Sequence, residues 1–463
     1  MPRRPRSKPG SKPGSKPRST APNDGSPLGS LTDAELIQEL ARRRAAAGKL
    51  DLSSMELATE ETKRAIGAAA LAAMIAKLPP EDDRPKRCPT CGRLVPIKSR
   101  HRERRILTLS GEVTFSRHYH HCEQCRLGFY PRDAELALPE EGDVSEEMEK
   151  RIADFGVNDT FDSAAERWSV HYPSPISENL VRCVVDRVGK RCESAGLLEG
   201  QLAAKPRTGR PAPMLVVATD GSMLCTRDGS WKEAKVGVVA RPQQSATRKP
   251  LEARYVAVVG GQEPFARSLA AALEAERADE VTKVAWVGDG APSNWTLATE
   301  LCPLAIQILD LPHAIQHSVD CAKVLLGDES ELLLSWRRRT HELLDDVSPD
   351  RFLAELMECL PETSGEESLE ALDDLIRYFR TNERRMRYAE FRKLGLPIGS
   401  GIVESAHRHV LQVRMKRAGQ RWSLPRADRM ARLRAVYRTA GPKRFHRAIR
   451  EAYTRTPAYR RSS

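Results

Sequence analysis

Two short segments, MLVVATDG and KVAWVGDG, constrain the fold of this chain more than any other feature. Each is an apolar, β-branched run that ends in an aspartate and a glycine, with Asp220 in the first and Asp289 in the second. Runs of this composition are typical of buried strands, and the Asp-Gly pair marks the turn at which each strand ends. The two aspartates are therefore predicted to lie at strand ends, where an open α/β sheet places its ligands.

The surrounding pattern predicts an α/β fold in which helices cover a mixed sheet. From Met214 three strands follow one another, and helices then alternate with strands through KVAWVGDG and AIQILD. Between Leu326 and Leu394 the pattern is wholly helical and amphipathic. Because a loop of that length is implausible inside a compact sheet, we interpret this stretch as an inserted helical domain.

Four cysteines upstream predict a structural zinc site. They form two C-x2-C pairs, separated by the strand-like segment ERRILTLSGEVTFSRHYHHC, at Cys88, Cys91, Cys122 and Cys125. In a reducing compartment such pairs are typical of tetrahedral Zn2+ rather than of disulfides, and the hairpin between them suits a zinc ribbon with one ion. A redox pair or unliganded reduced thiols are the alternatives.

The charge distribution favours a nucleic-acid partner. The net charge is +12, but residues 378–463 carry 23 Lys and Arg against 5 Asp and Glu, and residues 1–30 carry 7 against 1. The first 30 residues are also rich in Pro, Gly and Ser, which predicts a disordered basic arm or a solvated tail. No apolar run of about 18 residues and no signal-peptide pattern is present. We therefore expect a cytoplasmic, nucleoid-associated protein with no membrane partner.

These features suggest seven segments. Residues 141–200 read as short helices with a helix-turn-helix-like arrangement, for which a plain helical linker is the alternative. The predicted segments are a basic arm (1–30), a helical segment (31–82), a zinc ribbon (83–140), the helix-turn-helix-like region (141–200), a catalytic domain (210–326 with 396–425), a helical insertion (327–395) and a basic helical C-terminus (426–463).

A third carboxylate completes a candidate site. Glu404 lies in GSGIVES, on a predicted helix that continues into a basic stretch. A single strand-end aspartate is more often a cap or turn former, but Asp220, Asp289 and a remote glutamate in a basic protein suggest a two-metal phosphodiester site. Two Mg2+ ions (or Mn2+) would suit three hard carboxylate ligands. Asp310, which also ends a strand, and His313 are auxiliary candidates.

Four segments resemble the successive blocks of a DDE transposase from a bacterial insertion sequence. They are TDGSMLCTRDGSWKE, GDGAPSNW, ILDLPHAIQH and GSGIVESAHRHVLQVRMKRAGQRWS. The resemblance spans roughly residues 88–422, includes the two cysteine knuckles and the helical insertion, and is greatest to the ISKra family. One departure is Pro292-Ser293-Asn294 before Trp295, where the resemblance predicts aromatic residues soon after the GDGA turn.

This resemblance implies a ribonuclease H-like catalytic fold with Asp220, Asp289 and Glu404 as the metal-binding triad. It further implies Mg2+-dependent cleavage of double-stranded DNA at the element ends and strand transfer to target DNA, by a homo-oligomer. The basic stretch after Glu404 is expected to hold DNA through Arg414, Lys416, Arg417, Arg421 and Trp422, mainly by phosphate contacts. The alternative is a domesticated zinc-containing DNA-binding protein without transposition activity.

Overall fold

The computed structural model describes residues 32–45, 51–139, 142–172, 174–198, 212–242, 252–327, 331–344, 349–359 and 365–455. The chain divides into two compact units, Met1–Ala70 and Leu71–Ser463. Helices α1 (Asp33–Ala45) and α2 (Leu52–Ala76) open the described part, and the predicted basic arm lies outside it. α1 begins with a capping box, since Glu35 accepts from the Thr32 backbone N–H at 2.7 Å and Thr32 Oγ1 accepts from the Glu35 N–H at 3.4 Å.

A cysteine-containing ribbon follows. β1 (Lys86–Arg87) and β2 (Leu94–Val95) pair antiparallel, while β3 (Ile97–Thr108), β4 (Gly111–Cys122) and β5 (Leu127–Phe129) form an antiparallel sheet in that order. A small core of its own contains two cysteines and two apolar side chains, Cys88, Cys122, Val95 and Phe129. The predicted strand-like hairpin between the two knuckles is therefore present.

Four helices connect the ribbon to the central sheet: α3 (Pro131–Glu135), α4 (Glu146–Asn158), α5 (Phe161–His171) and α6 (Glu178–Ser194). α6 packs against α4 and α5 and buries a valine-rich face. One of its arginines, Arg187, donates to the buried Glu149 at 2.8 Å. Much of α6 is thus engaged inside the protein, which limits the surface it offers to DNA, and the helix-turn-helix-like role stays a prediction.

The central sheet is mixed, as the strand pattern predicts. Its five strands are β6 (Met214–Cys225), β7 (Trp231–Arg241), β8 (Glu252–Val259), β9 (Lys283–Gly288) and β10 (Ile306–Leu309). Their spatial order is β10-β9-β6-β7-β8, with β7 antiparallel to its neighbours β6 and β8, and with β6, β9 and β10 parallel. Between the later strands run α7 (Gln262–Ala275) and α8 (Pro292–Leu301), and α9 (Leu311–Leu326) follows β10.

Asn294 explains why the unusual Pro292-Ser293-Asn294 sequence still begins a regular helix. Its buried Oδ1 accepts from Thr219 Oγ1 of β6 at 2.5 Å and from Trp286 Nε1 of β9 at 2.9 Å. A Cβ on Gly288 would lie 2.1 Å from Asn294 Nδ2, so the glycine is required for this close approach. Pro292 takes the first turn of α8, where a missing N–H costs nothing.

The helical insertion consists of α10 (Glu331–Glu342), α11 (Pro349–Cys359), α12 (Glu366–Asn382) and α13 (Tyr388–Lys393). α10 and α12 both pack against α9, and α12 also packs against α11. The chain then returns to the sheet through α14 (Gly401–Ala406), a π-helical stretch (His407–Gln412) and α15 (Val413–Met415). The insertion therefore begins after α9, the helix that follows Asp310, and ends at the segment that carries Glu404.

The last helix, α16 (Leu424–Arg455), packs along β8, an edge strand of the sheet. It bends at Gly441, which has φ 72°, immediately before Pro442. Along β8, the edge strand, Asp428 Oδ1 accepts from Val259 N at 2.9 Å and Thr439 Oγ1 accepts from Tyr255 N at 2.8 Å. These side chains satisfy edge N–H groups that would otherwise be free to pair with another strand. Throughout the described part of the chain, no helix is long and apolar enough to cross a membrane.

Candidate active site and metal centre

The sheet register brings three aspartates level with one another on the neighbouring strands β6, β9 and β10. β6 and β9 pair Ala218 with Val287, and two further residues along both strands bring Asp220 level with Asp289. β9 and β10 pair Gly288 with Leu309, and the next residues are Asp289 and Asp310. The three strands are parallel, and Asp289 and Asp310 directly follow the ends of β9 and β10. Asp220 instead lies inside β6, which continues to Cys225 in its pairing with β7, so the prediction that Asp220 ends its strand is wrong. Neighbouring strands lie about 4.8 Å apart, which brings the three backbones close together.

Asp220 and Asp289 are each oriented by a nearby backbone N–H. Asp220 Oδ1 accepts from Gly221 N at 2.7 Å, and Asp289 Oδ1 accepts from Ala291 N at 3.1 Å. Both residues are partly exposed. One oxygen of each carboxylate is thus held in place, and the carboxylates remain accessible to a ligand.

Glu404 lies in a segment that packs against the same sheet. It is exposed on α14, a helix that packs against β6 and β7. The turn before this helix is fixed by Asp310, whose Oδ1 accepts from Ser400 N at 2.6 Å. A backbone hydrogen bond from Leu311 N to Ile398 O at 2.9 Å reinforces the connection. The segment that carries Glu404 is therefore held to the sheet by the residues that follow β10.

Asp310 differs in environment from the other two aspartates. It is fully buried, caps α9 by accepting from His313 N at 3.2 Å, and also bonds His313 Nδ1 through the same Oδ2. Its carboxylate is therefore occupied by protein donors. Sequence alone places Asp310 on a further strand with an auxiliary role, and the structure gives that role a physical form: it fastens the Glu404 segment to the sheet.

His407 is a site residue that the sequence prediction missed. It lies one turn after Glu404, is buried, and places Nε2 3.3 Å from Asp220 Oδ2 without hydrogen-bond geometry. It also begins the π-helical stretch, a feature that is frequent at functional sites. The three-residue spacing between Glu404 and His407, which puts both on one helix face, was the available signal.

The helical insertion contributes Tyr378 to the site. Its hydroxyl donates to Asp289 O at 3.0 Å, and its ring lies 4.2 Å from that of His317. A Cβ on Gly290 would lie 2.6 Å from the Tyr378 hydroxyl, so the glycine that follows Asp289 allows this contact. Burial raises the pKa of Tyr378, which keeps its hydroxyl a donor. The insertion therefore braces the turn that carries Asp289.

The carboxylates are spread more widely than the cysteines. Among the described residues, only the group Cys88, Cys91, Cys122 and Cys125 brings three or more His, Cys, Asp or Glu ligand atoms within 4.8 Å of one another. Cys91 Sγ and Cys122 Sγ are 3.7 Å apart. The four-cysteine cluster predicted from the sequence is thus confirmed as a group that can hold a zinc ion.

The backbone of the first knuckle favours a thiolate at Cys88. Burial opposes ionisation of Cys88, but backbone N–H groups of Cys91 and Thr90 lower the pKa of its thiol to about 7. Gly92 and Arg126, each directly after the second cysteine of its knuckle, have φ values of 72° and 51°. The nearby His120 does not belong to the group, since its Nδ1 lies 3.0 Å from Val95 O.

The basic stretch after Glu404 separates into buried and exposed residues. Lys416, Arg417 and Arg421 are exposed, as phosphate contacts require. Arg414 is 1% exposed and donates from Nε to Gly156 O at 3.1 Å, while Trp422 is 8% exposed and donates from Nε1 to Met415 O at 3.0 Å. The expectation that Arg414 and Trp422 lie on an open DNA-contacting surface is therefore corrected, because both are packed inside the protein.

One family matches most of the chain. The family model covers residues 49–450 and is described as an uncharacterised protein family, UPF0236, so the chain belongs to UPF0236. No curated protein matches the chain.

The four-cysteine cluster predicts metal-dependent stability. We expect about one Zn2+ per chain by elemental analysis of freshly reduced protein, because thiolates of this spacing prefer Zn2+. Cys88→Ser and Cys122→Ser should each lose the ion and destabilise the ribbon, since metal binding there contributes folding free energy. Cys183→Ser, outside the cluster, is the matched control and should keep the ion. Well-folded protein without zinc would contradict the assignment.

The His313–Asp310 pair predicts a pH-dependent stability. The bond to Asp310, aided by the charges of Asp310, Asp289 and Asp220, raises the pKa of His313 above its ordinary value of 6.5. The resulting stabilisation is therefore complete below about pH 6.5 and is lost as the pH rises through the folded-state pKa. In urea titrations without divalent ions, the difference between wild type and His313→Gln should be largest at low pH. Equal differences at pH 6 and pH 9 would refute this, with His341→Gln, on the exposed face of α10, as control.

Proposed function

We propose that this UPF0236 member is a DDE transposase of an insertion sequence, of the ISKra type, that cleaves and joins DNA. One observation carries the proposal: the parallel register brings Asp220 and Asp289 to the same level on neighbouring strands, and Asp310 fastens the Glu404 helix to the end of β10. His407, one turn after Glu404, lies 3.3 Å from Asp220, so segments about 184 positions apart in sequence are neighbours in the fold. UPF0236 includes transposase-like proteins of insertion sequences, which supports the proposal.

The sheet topology supports a ribonuclease H-like catalytic domain. Three antiparallel strands followed by two parallel strands, with the first strand at the centre, agree with the fold that the resemblance implies. Asp220 on the central strand and Asp289 on its parallel neighbour occupy the positions expected of the first two acids. The helical insertion then separates the sheet from Glu404 in sequence but not in space.

The donor set fits divalent metal ions of the magnesium type. All three proposed ligands are carboxylates with accessible oxygens, and Mg2+ prefers hard oxygen ligands and retains several waters. Asp220 would hold both ions, and Asp289 and Glu404 would each hold one. When bound, two such ions activate the attacking oxygen, neutralise the phosphate and stabilise the leaving alkoxide. Among the described residues the three carboxylates do not all meet within 4.8 Å of one another, which is compatible with ligands shared between two ions.

The proposed reaction has two balanced steps. In the first, a water oxygen bonds to phosphorus at the element end while the bond to the 3′ oxygen breaks, leaving a 3′-hydroxyl and a 5′-phosphate. In the second, that 3′-hydroxyl attacks a phosphodiester of the target duplex, and the target strand leaves with a new 3′-hydroxyl. Both duplexes are held by the exposed Lys416, Arg417 and Arg421, in a homo-oligomer on DNA.

A second candidate is a zinc-containing DNA-binding protein without transposition activity. The observation that favours it is the contrast between the closely grouped cysteines and the more widely spread acids. The DNA that flanks the coding sequence discriminates the two: terminal inverted repeats with short target duplications support transposition, and their absence supports a domesticated binder.

Substitution of the acids tests the enzyme directly. Asp220→Asn, Asp289→Asn and Glu404→Gln should each reduce Mg2+-dependent cleavage of a labelled element end by about a thousandfold, because metal stabilisation of the transition state is worth several kcal/mol. Binding of the same DNA without metal should change little. Asp279→Asn and Glu300→Gln are matched controls on exposed positions. A variant of any of the three acids that cleaves at the wild-type rate would remove that residue from the site.

Salt dependence tests the DNA-contacting surface. If Lys416 and Arg417 neutralise phosphates, their joint replacement by alanine should reduce the slope of log affinity against log salt by about 1.8, at roughly 0.9 per phosphate. Specific and non-specific duplexes should be affected alike, because phosphate contacts carry no sequence information. Arg267→Ala, on α7, is the control for loss of a surface charge. An unchanged slope would exclude these two side chains from the interface.

A further inference from the structure

A pocket of about 240 Å3 lies between the α5–α6 region and the segment that follows Glu404. It contains none of the three proposed catalytic acids. Phe161 and Trp422 line it with rings 6.4 Å apart in an edge-to-face arrangement. Six arginines also line it: Arg182, Arg227, Arg414, Arg421, Arg426 and Arg429. Apolar rings and guanidinium groups thus meet in one concave site.

Arg414 is an incompletely satisfied cation in this pocket. Its guanidinium lies 4.5 Å from the ring centroid of Phe161 and 5.3 Å from that of Trp422. Within the part of the chain that the structure describes, it forms no ion pair, and its buried Nη2 has no hydrogen-bond partner. A buried donor without a partner is costly, so an acceptor from a ligand in the pocket would be stabilising.

The other cations are better exposed. Arg227 and Arg421 are both accessible, and neither side chain pairs with an acid among the described residues. Of the acids that line the pocket, Asp186 is already bonded to Arg429 at 2.7 Å. The lining holds six arginines against three acids, Asp162, Glu178 and Asp186, so the pocket keeps an excess of positive charge, which favours an anionic ligand.

We propose that this pocket binds a single nucleotide unit, with its phosphate at Arg227 and Arg421 and its base beside Phe161. Guanidinium groups match the geometry of phosphate oxygens, and aromatic side chains stack on bases whatever their identity. The buried Arg414 would donate to the base or the phosphate from inside the pocket. The nucleotide comes either from an unpaired position in DNA, which rests on the proposed function, or from a free mononucleotide.

Binding measurements with the full chain in EDTA distinguish the two sources. Fluorescence anisotropy compares a blunt duplex, a duplex with one unpaired 2-aminopurine nucleotide at its end, and the same duplex with an abasic residue at that position. If DNA is the source, the unpaired base should increase affinity over the abasic duplex about tenfold, and dAMP should not compete. If a free nucleotide is the source, dAMP should bind and the duplexes should not differ.

Point variants connect the effect to the pocket. Phe161→Leu, which keeps an apolar side chain of similar size, should abolish the preference for the unpaired base or the binding of dAMP. Arg227→Ala should weaken the same ligand about tenfold, while Arg267→Ala, which removes an equal charge elsewhere, should not. Thermal unfolding of each variant confirms that it is folded. Wild-type protein that neither prefers the unpaired base nor binds dAMP would overturn the proposal.

A failure of the pocket proposal can be distinguished experimentally from a failure of the proposed function. Asp220→Asn should keep the pocket's ligand preference while losing cleavage, because the pocket does not contain Asp220. Cleavage by wild type without any ligand preference would refute the pocket proposal but not the proposed enzymatic function. Ligand preference without cleavage would refute the proposed enzymatic function but not the pocket proposal.

Discussion

The candidate active site depends on one buried carboxylate. Asp310 accepts from Ser400 N through one oxygen and from His313 through the other, and it is fully excluded from solvent. A charge in that position is tolerated only because its hydrogen bonds are satisfied. The consequence is geometric: the end of β10, the start of α9 and the turn before Glu404 become one unit. Without the hydrogen bond between Ser400 N and Asp310, the helix that carries Glu404 would lose a polar connection to the end of β10.

Much of the fold could be predicted from local sequence. The β-branched run before Asp289 and the paired cysteines are signals carried by short segments, and each has its predicted structure. The run before Asp220 also forms a strand, but this strand continues past the glycine because its pairing with β7 extends to Cys225. The mixed sheet followed from the order of strands and helices. The ribonuclease H-like identity and the bound metals are finer statements that stay predictions, because they concern a ligand and a reaction rather than the chain's own packing.

Non-local contacts account for what sequence could not provide. Nothing in the residues around Asp310 shows that its partner is the backbone of Ser400, 90 positions later. The same is true of Tyr378, which reaches the Asp289 turn from the inserted helices, and of His407 beside Asp220. Asn294 shows the converse case. It departs from the expected family pattern, yet its bonds to Thr219 and Trp286 give the turn a structure of its own.

The count of basic residues overestimates the positive charge at the surface wherever arginines are buried. Arg414 and Arg434 contribute to the basic C-terminal region, but they donate to Gly156 O at 3.1 Å and Val157 O at 2.5 Å in the last turn of α4. Cations at a helix C-terminus are favourable, and here they fasten the segment after Glu404 to the helices of residues 141–200. Deleting residues 1–200 would leave two buried guanidinium groups without these acceptors. A role of the helix-turn-helix-like region in DNA binding must therefore be tested by point substitution, because its helices also support the fold around the site.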